Sequence, residues 1–444
     1  MMKVVIVGGS HAGICAALRA KEEFPDAEIV MYEEKAQTSF VSQGIISYLE
    51  GHTEALFQSS YLSPEEIRAA GIDFVTETTV QNIDVQAKIL YFHANDSDEV
   101  FESSYDKLIF AAGSYPSMPP IEYDERCPLF FLKGKADAVA AEDFLKTAKT
   151  IAVVGGGMTG LEIARICNQR GIKTIWANAN KTILSRYLDV PVAEKAEDLL
   201  REEGILIENE MRVSEVAYEN GHCVLKSTTK TILADGVIFA VGFRPNSYLL
   251  SGQVELGDKG AILVDEYMRT SAADVFAVGD ASTTWIERAN KSYYLPHASD
   301  AVRKGEIAAI NLLEARRKIN STQATYHVPM KEMTIAITGQ TLKQALRAGI
   351  DVDAVEMVNP HLEGHSTSHI WLTYERRTHR IIGLQCLGKS ADLAAYANII
   401  SLAIERNLTI EDLEFTDFYF EHGYKDPRGF NRILARLVRE NEGK

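Results

Sequence analysis

The sequence predicts an α/β protein: two Rossmann-like dinucleotide-binding domains with parallel sheets, followed by a C-terminal α+β domain. Three observations carry this reading. Near the N-terminus an apolar strand runs into a glycine-rich turn and then a helix. The same pattern returns about 150 residues later. From about residue 325 onward no glycine-rich turn occurs, and the texture changes to antiparallel-type strands with flanking helices.

The first element, residues 4–7, is wholly apolar and rich in valine and isoleucine, as a parallel strand buried on both faces must be. It feeds Gly8-Gly9-Ser10-His11-Ala12-Gly13, a helix over residues 14–20 and a second strand at 28–32 that closes on Glu33. Glu33 lies twenty residues after Gly13, the spacing at which a dinucleotide fold places its ribose-binding acid. Ser10 replaces the usual second glycine, but strand, helix and acid are all in place. Gly8 and Gly13 let the backbone and the helix N-terminus approach a pyrophosphate, where N–H groups and the helix dipole favour an anion.

The second copy begins with an apolar strand at 150–154 and the complete fingerprint Gly155-Gly156-Gly157-Met158-Thr159-Gly160. A helix over 161–170 and a strand over 173–177 follow. Gly155, Gly157 and Gly160 carry the same phosphate chemistry as the first turn. Two such folds imply two dinucleotides that exchange electrons. Residues 105–113 read as a strand ending in the small residues Ala111 and Gly113, and residues 274–280 as a strand ending on Asp280. In open α/β sheets ligands bind at such strand ends. Later strands are expected at 334–339, 369–374 and 380–386, with helices at 392–405 and 431–440.

Charge and composition narrow the function. The 62 acids and 46 bases give a net charge of −16, which disfavours nucleic acid and anionic lipid as partners. No apolar run reaches the ~18 residues of a membrane span. The chain opens directly on a core strand, so no secretory leader is expected. The five cysteines are scattered, without metal-type spacing, which predicts a reduced, cytoplasmic protein without a metal site.

These motifs together resemble the flavin-dependent pyridine nucleotide–disulfide oxidoreductases, in particular the branch of NADH oxidases, NADH peroxidases and coenzyme A-disulfide reductases. The resemblance spans essentially the whole chain. It is carried by the 8–13 turn, Ser39-Phe40-Val41-Ser42-Gln43-Gly44, residues 105–113, Val241-Gly242-Phe243-Arg244-Pro245-Asn246, residues 270–280 and Thr378–Gly383. It implies FAD in the first fold and NADH in the second. The FAD-binding domain would be built from residues 1–115 and 245–322, around an NAD(P)H-binding domain at 116–244. Residues 323–444 would form a dimerisation domain that makes a homodimer and helps complete the partner's site. Carried over from the family, Gly8, Ser10, His11, Ala12, Gly13, Glu33, Ser42, Gln43, Ala111, Gly113 and Asp280 belong to the FAD site, and Gly242 is a cofactor-binding residue. Pro296, His297 and Ala298 also belong to the FAD site, under the pyrimidine edge of the flavin. His422 would reach the partner's flavin.

Two departures from the family pattern shape the expected chemistry. The family's redox cysteine falls at Gln43, and an amide has neither a thiolate nor a redox state. Disulfide and sulfenate chemistry are therefore not expected. Cys15, one turn into the first helix, is expected to pack rather than react. Asn178, eighteen residues past Gly160, falls where the NAD-binding acid is usual. It can bond a ribose hydroxyl but does not repel a 2′-phosphate, and Lys181 and Arg186 lie near in sequence, so NADPH stays open beside NADH. With His11 as a neutral hydrogen-bond donor beside Gln43, the expected reaction takes hydride from NADH to FAD and passes two electrons to oxygen, mainly giving hydrogen peroxide. The alternatives are reduction of another small acceptor such as a quinone, and a redox-silent flavin-binding regulator or scaffold.

Overall fold

The computed structural model describes residues 1–36, 43–51, 62–286, 291–329, 333–360, 367–388, 392–419 and 425–443. Their contacts divide the chain into two compact units. One comprises 1–120, 128–149 and 237–321, the other 121–127, 150–236 and 322–444. The first unit includes residues 128–149 and 237–244. There Leu129–Phe131 pairs in parallel with Val237–Phe239. Phe243–Pro245 pairs antiparallel with Ser114–Pro116.

The first unit is built on a five-stranded sheet in the order Val275–Ala277, Lys107–Phe110, Lys3–Val7, Glu28–Tyr32, Asp73–Val75, with each adjacent pair parallel. Val4, Val5 and Ile6 are fully buried at its centre, which is why that run carries no polar residue. The helices His11–Glu23 and Ala298–Ile310 pack closely because Gly305 has no side chain: a Cβ there would lie 2.3 Å from the Ala12 carbonyl oxygen. The three-stranded antiparallel sheet of Thr78–Asp84, Ile89–Ala94 and Phe101–Ser104 completes the unit.

The second unit holds the parallel strands Thr150–Val154, Lys173–Ala177 and Leu206–Glu208. The helix Met158–Gln169 follows the first of them. The same unit contains a five-stranded antiparallel sheet in the order Tyr326–Pro329, Thr334–Gly339, Ile381–Gly388, Thr367–Glu375, Val352–Pro360. The helices Asp392–Glu405 and Phe430–Asn441 cover that sheet. The sequence reading omits the edge strand Val352–Pro360, which exposes Glu356 and Val358 and buries Val355 and Met357.

The last helix is amphipathic, as the sequence suggests, and reads there as an interface helix with a membrane contact as the alternative. The structure corrects this: Phe430, Ile433, Leu434 and Val438 are buried in the domain's own core. Its apolar stripe is already covered, and Arg439 forms a two-pronged pair with Glu414 at 2.7 and 2.8 Å. No helix among the described residues is long and apolar enough to cross a membrane.

His379 sits in the turn between two strands of this sheet with φ 56°. One ring nitrogen meets Glu411, and the other lies 2.9 Å from Glu442 Oε1. Two carboxylate partners require both nitrogens to carry protons. Burial works against that charge, but the hydrogen bonds and charges of Glu411 and Glu442 outweigh it and raise the pKa above the ordinary 6.5. With the folded value raised, the stabilisation is complete below pH 6.5 and is lost as pH rises through the folded pKa. His379→Asn keeps a residue that tolerates positive φ. It is expected to cost on the order of 1 kcal/mol at pH 6 and much less at pH 9. Thermal melts of both proteins at the two pH values check this; an equal loss at both would show that the clamp is not charged.

Candidate active site

In the first unit the predicted residues converge at the C-terminal edge of the parallel sheet. Gly8, with φ 107°, follows the first strand; a Cβ on it would lie 2.3 Å from the Ala111 carbonyl oxygen. A Cβ on Gly13 would lie 1.9 Å from the Gly8 carbonyl oxygen and 3.5 Å from Ala111 Cβ. Turn, helix and the strand end at Ala111 therefore touch through backbone alone, which leaves the helix N-terminus open to a phosphate. Ser10 is the exposed N-cap, and its side chain makes no cap bond. Gly9 N–H donates to Glu33 Oε2 at 2.6 Å and Lys35 N–H to Glu33 Oε1 at 2.9 Å. Burial pushes the Glu33 carboxyl up, and these two amides hold it back. It is fixed at the strand end as a ribose acceptor would be.

Gly279, whose positive φ of 65° suits glycine, brings Asp280 to the same edge; a Cβ on it would lie 3.0 Å from Ala12 Cβ. Asp280 Oδ2 accepts from Ser114 Oγ at 2.7 Å and faces Lys133 Nζ at 3.6 Å. Lys133 also donates to Ser114 Oγ at 2.9 Å and lies over the Phe243 ring at 4.4 Å. Burial lowers the Lys133 pKa and Asp280 opposes the shift. The sequence reading misses both Ser114 and Lys133. No local signal marks either: Ser114 opens one short strand and Lys133 lies two residues past another, and only the fold brings them to Asp280. A half-buried cation held by a serine and an aspartate suits an anionic or electron-rich ligand. Gly113 and Gly242 also adopt positive φ, at 71° and 96°.

His11 is the first residue of its helix, near Asp280 and Lys133. Burial lowers its pKa most, Asp280 opposes, and Lys133 lowers it further. Burial thus leads in favouring the neutral ring. Pro296, His297 and Ala298 open the thirteen-residue helix Ala298–Ile310, with His297 as its N-cap and its Nδ1 2.7 Å from Ser299 Oγ. A helix N-terminus here favours negative charge on the group beside it. Ser42 and His422 lie outside the described residues, as does the side chain of Gln43, the first residue of the helix Gln43–Leu49.

The second unit repeats the turn with a division of labour between glycines. A Cβ on Gly160 would lie 2.1 Å from the Gly155 carbonyl oxygen and 2.9 Å from Trp176 Nε1, whereas one on Gly157 would meet nothing within 4 Å. Gly160 is needed for packing; Gly157 keeps open the space a phosphate would enter. Asn178 does stand at the end of the strand Lys173–Ala177, but it is 1% exposed. Its Nδ2 donates to the Asn180 carbonyl at 3.1 Å and to Asn209 Oδ1 at 3.0 Å. Its Oδ1 accepts from Asn180 N–H at 3.3 Å. The amide expected at the ribose is engaged in holding its own loop.

None of the five thiols is placed to react. Burial is the leading cause in each case and raises Cys15 (helped by Glu306), Cys127, Cys223 and Cys386; Cys167 is pushed up to about 12. A thiol held neutral is a poor nucleophile.

Comparison with known proteins agrees with this geometry. The family model for pyridine nucleotide-disulphide oxidoreductases matches residues 2–305, and the dimerisation domain of the same family matches residues 327–420. The chain is 34% identical to an NADH oxidase of Enterococcus faecalis, over 99% of this chain and 100% of that one. In structure it is similar to a water-forming NADH oxidase of Lactobacillus brevis bound to NADH, with a TM-score of 0.95, 30% identity and coverage of 100% and 99%. It is also similar to an NAD-dependent persulfide reductase of A. fulgidus, with a TM-score of 0.92, 26% identity and coverage of 100% and 84%. With the family models matching most of the chain and an NADH oxidase 34% identical along its whole length, the chain belongs to the pyridine nucleotide-disulphide oxidoreductase family and is an FAD-dependent NAD(P)H oxidoreductase.

Proposed function

We propose that the protein is an NADH oxidase, active as a homodimer, that delivers two electrons from NADH to oxygen and releases hydrogen peroxide. One observation carries the product: Gln43 stands where the family resemblance places the redox cysteine, and every thiol in the chain is held neutral by its surroundings. Bound FAD supplies the two-electron relay between nucleotide and oxygen. The chain's own residues bind and orient. Gly8, Gly13 and the helix N-terminus His11–Glu23 hold the pyrophosphate, and Glu33 holds the ribose. Asp280, Ser114 and Lys133 hold the ribityl side of the cofactor. Neutral His11 would offer an N–H hydrogen bond beside the flavin. In the other unit Gly155, Gly157 and the helix Met158–Gln169 hold the nicotinamide nucleotide. No carboxylate stands at position 178 to repel a 2′-phosphate, so NADPH serves as a weaker second donor.

The test is anaerobic titration of the purified yellow protein. About one equivalent of NADH is expected to bleach the flavin band, and admitting oxygen to restore it. A flavin that stays oxidised under NADH would make the protein a silent binder and end this reading.

A further inference from the structure

The loop that follows the nucleotide-side strand Lys173–Ala177 is tied down on two sides. Beneath it, Leu184 N–H donates to the Gly156 carbonyl at 2.8 Å, inside the glycine turn. Ile183 N–H and Asn209 Nδ2 both donate to Glu197 Oε1, at 2.9 and 2.8 Å, and Asn209 in turn holds Asn178. Leu184 is fully buried yet has φ 52°, a conformation that a leucine keeps only where its surroundings over-determine it. On the other side the loop ends in Asp189, the N-cap of the helix Val190–Glu202. An aspartate there normally caps its own helix, but this one makes no such bond. Its carboxylate instead accepts from Leu342 N–H at 2.8 Å, Lys343 N–H at 3.1 Å and Gln385 Nε2 at 2.7 Å, all in the C-terminal domain. Its own N–H donates to Gln385 Oε1 at 2.7 Å. Gln344 Nε2 donates to the Arg186 carbonyl at 2.9 Å, and the Tyr187 ring stands edge-on to Tyr326 at 5.3 Å.

We propose that residues 178–189 are a strap over the Gly155–Gly160 turn whose position is set by the C-terminal domain through Asp189, so that this domain takes part in nicotinamide-nucleotide binding and is more than an assembly element. The proposal rests on the reading that this turn binds the nucleotide. Asp189 is a positioning residue. Its negative charge gathers three donors from the sheet and helix of the C-terminal domain, and the short run Leu184–Leu188 transmits that anchor to Gly156. Tyr187 N–H and Leu188 N–H both bond the Leu184 carbonyl, at 2.7 and 2.9 Å, so the run is stiff. Releasing the anchor frees Leu184 to leave its left-handed conformation and the Gly156 carbonyl with it.

The experiment uses the FAD-loaded protein. Asp189→Asn places an amide N–H₂ against the donors it faced, and is expected to raise the Kd for NAD⁺ and the KM for NADH about tenfold, with kcat and FAD content within about twofold of wild type. Amide hydrogen exchange over 178–189 is expected to speed up in parallel. Asp189→Asn combined with Gln385→Glu reverses the polarity of the pair and is expected to restore most of the affinity. If Asp189→Asn does not fold, Gln344→Ala cuts the Arg186 tie alone and is expected to give a smaller change of the same kind. A lowered melting temperature with unchanged KM and Kd in these variants would overturn the proposal and leave Asp189 a packing residue. Wild-type protein that neither binds NAD⁺ nor is bleached by NADH would instead overturn the reading of the turn, and the proposal with it.

Discussion

Gly13→Ala protein is expected to purify colourless. The added Cβ would lie 1.9 Å from the Gly8 carbonyl oxygen and 3.0 Å from the Gly8 carbonyl carbon. Both are backbone atoms of a turn whose next residue donates to Glu33 at 2.6 Å, so they cannot yield as a flexible side chain would. The helix must back away from the sheet edge, which removes the N–H groups that would hold the FAD pyrophosphate. The expected loss of flavin affinity exceeds about a hundredfold, since several charge-assisted hydrogen bonds go together. Gly157→Ala is the complementary change. Its Cβ meets nothing in the protein, so the variant is expected to remain yellow and folded while its KM for NADH rises at least about tenfold. Flavin content by absorbance and KM by steady-state assay separate the two. A yellow Gly13→Ala protein with full occupancy would show that this turn does not hold FAD.

The contrast between these glycines shows what the sequence made legible. Glycine turns, their strands and the strand-end residues Glu33 and Asp280 are local features, because a dinucleotide fold writes its phosphate site within one strand–turn–helix segment. Lys133 and Ser114 are not local. Each becomes part of the site only because distant strands bring it to Asp280, and nothing in the run Leu132-Lys133-Gly134 announces that. Asn178 shows the reverse: its position was legible, but its burial against Gly156 and Asn209 depends on how the following loop folds back. The amphipathic last helix was legible as a pattern, but the pattern does not say what covers it, and the domain's own core does. The edge strand Val352–Pro360 was hidden because its outward face combines Glu356 with the exposed Val358 while its inner face combines Val355 and Met357 with Asn359, so apolar and polar residues do not alternate cleanly.

Catalase added during turnover is expected to return about half of the oxygen consumed, because two-electron reduction ends at hydrogen peroxide. The four-electron route to water needs a second step. A thiolate attacks peroxide, one oxygen leaves as water, and the sulfenic acid left behind is reduced back to the thiol by a second NADH, releasing the other oxygen as water. That step depends on a thiolate at the flavin, and position 43 carries an amide. Cys15 is the thiol nearest the turn in sequence, but burial and the charge of Glu306 raise its pKa, and with it the cost of forming the nucleophile. The Lactobacillus brevis relative is described as water-forming, so fold similarity alone does not decide the product, and the peroxide reading rests on Gln43 and the thiols. Gln43→Cys is the sharpest single change. It is expected to lower the oxygen returned by catalase and to introduce a slow NADH peroxidase activity, while leaving anaerobic flavin reduction by NADH near the wild-type rate. Wild-type protein from which catalase recovers no oxygen would mean that water is the product without a cysteine at this position, and that another group of the site carries the second reduction.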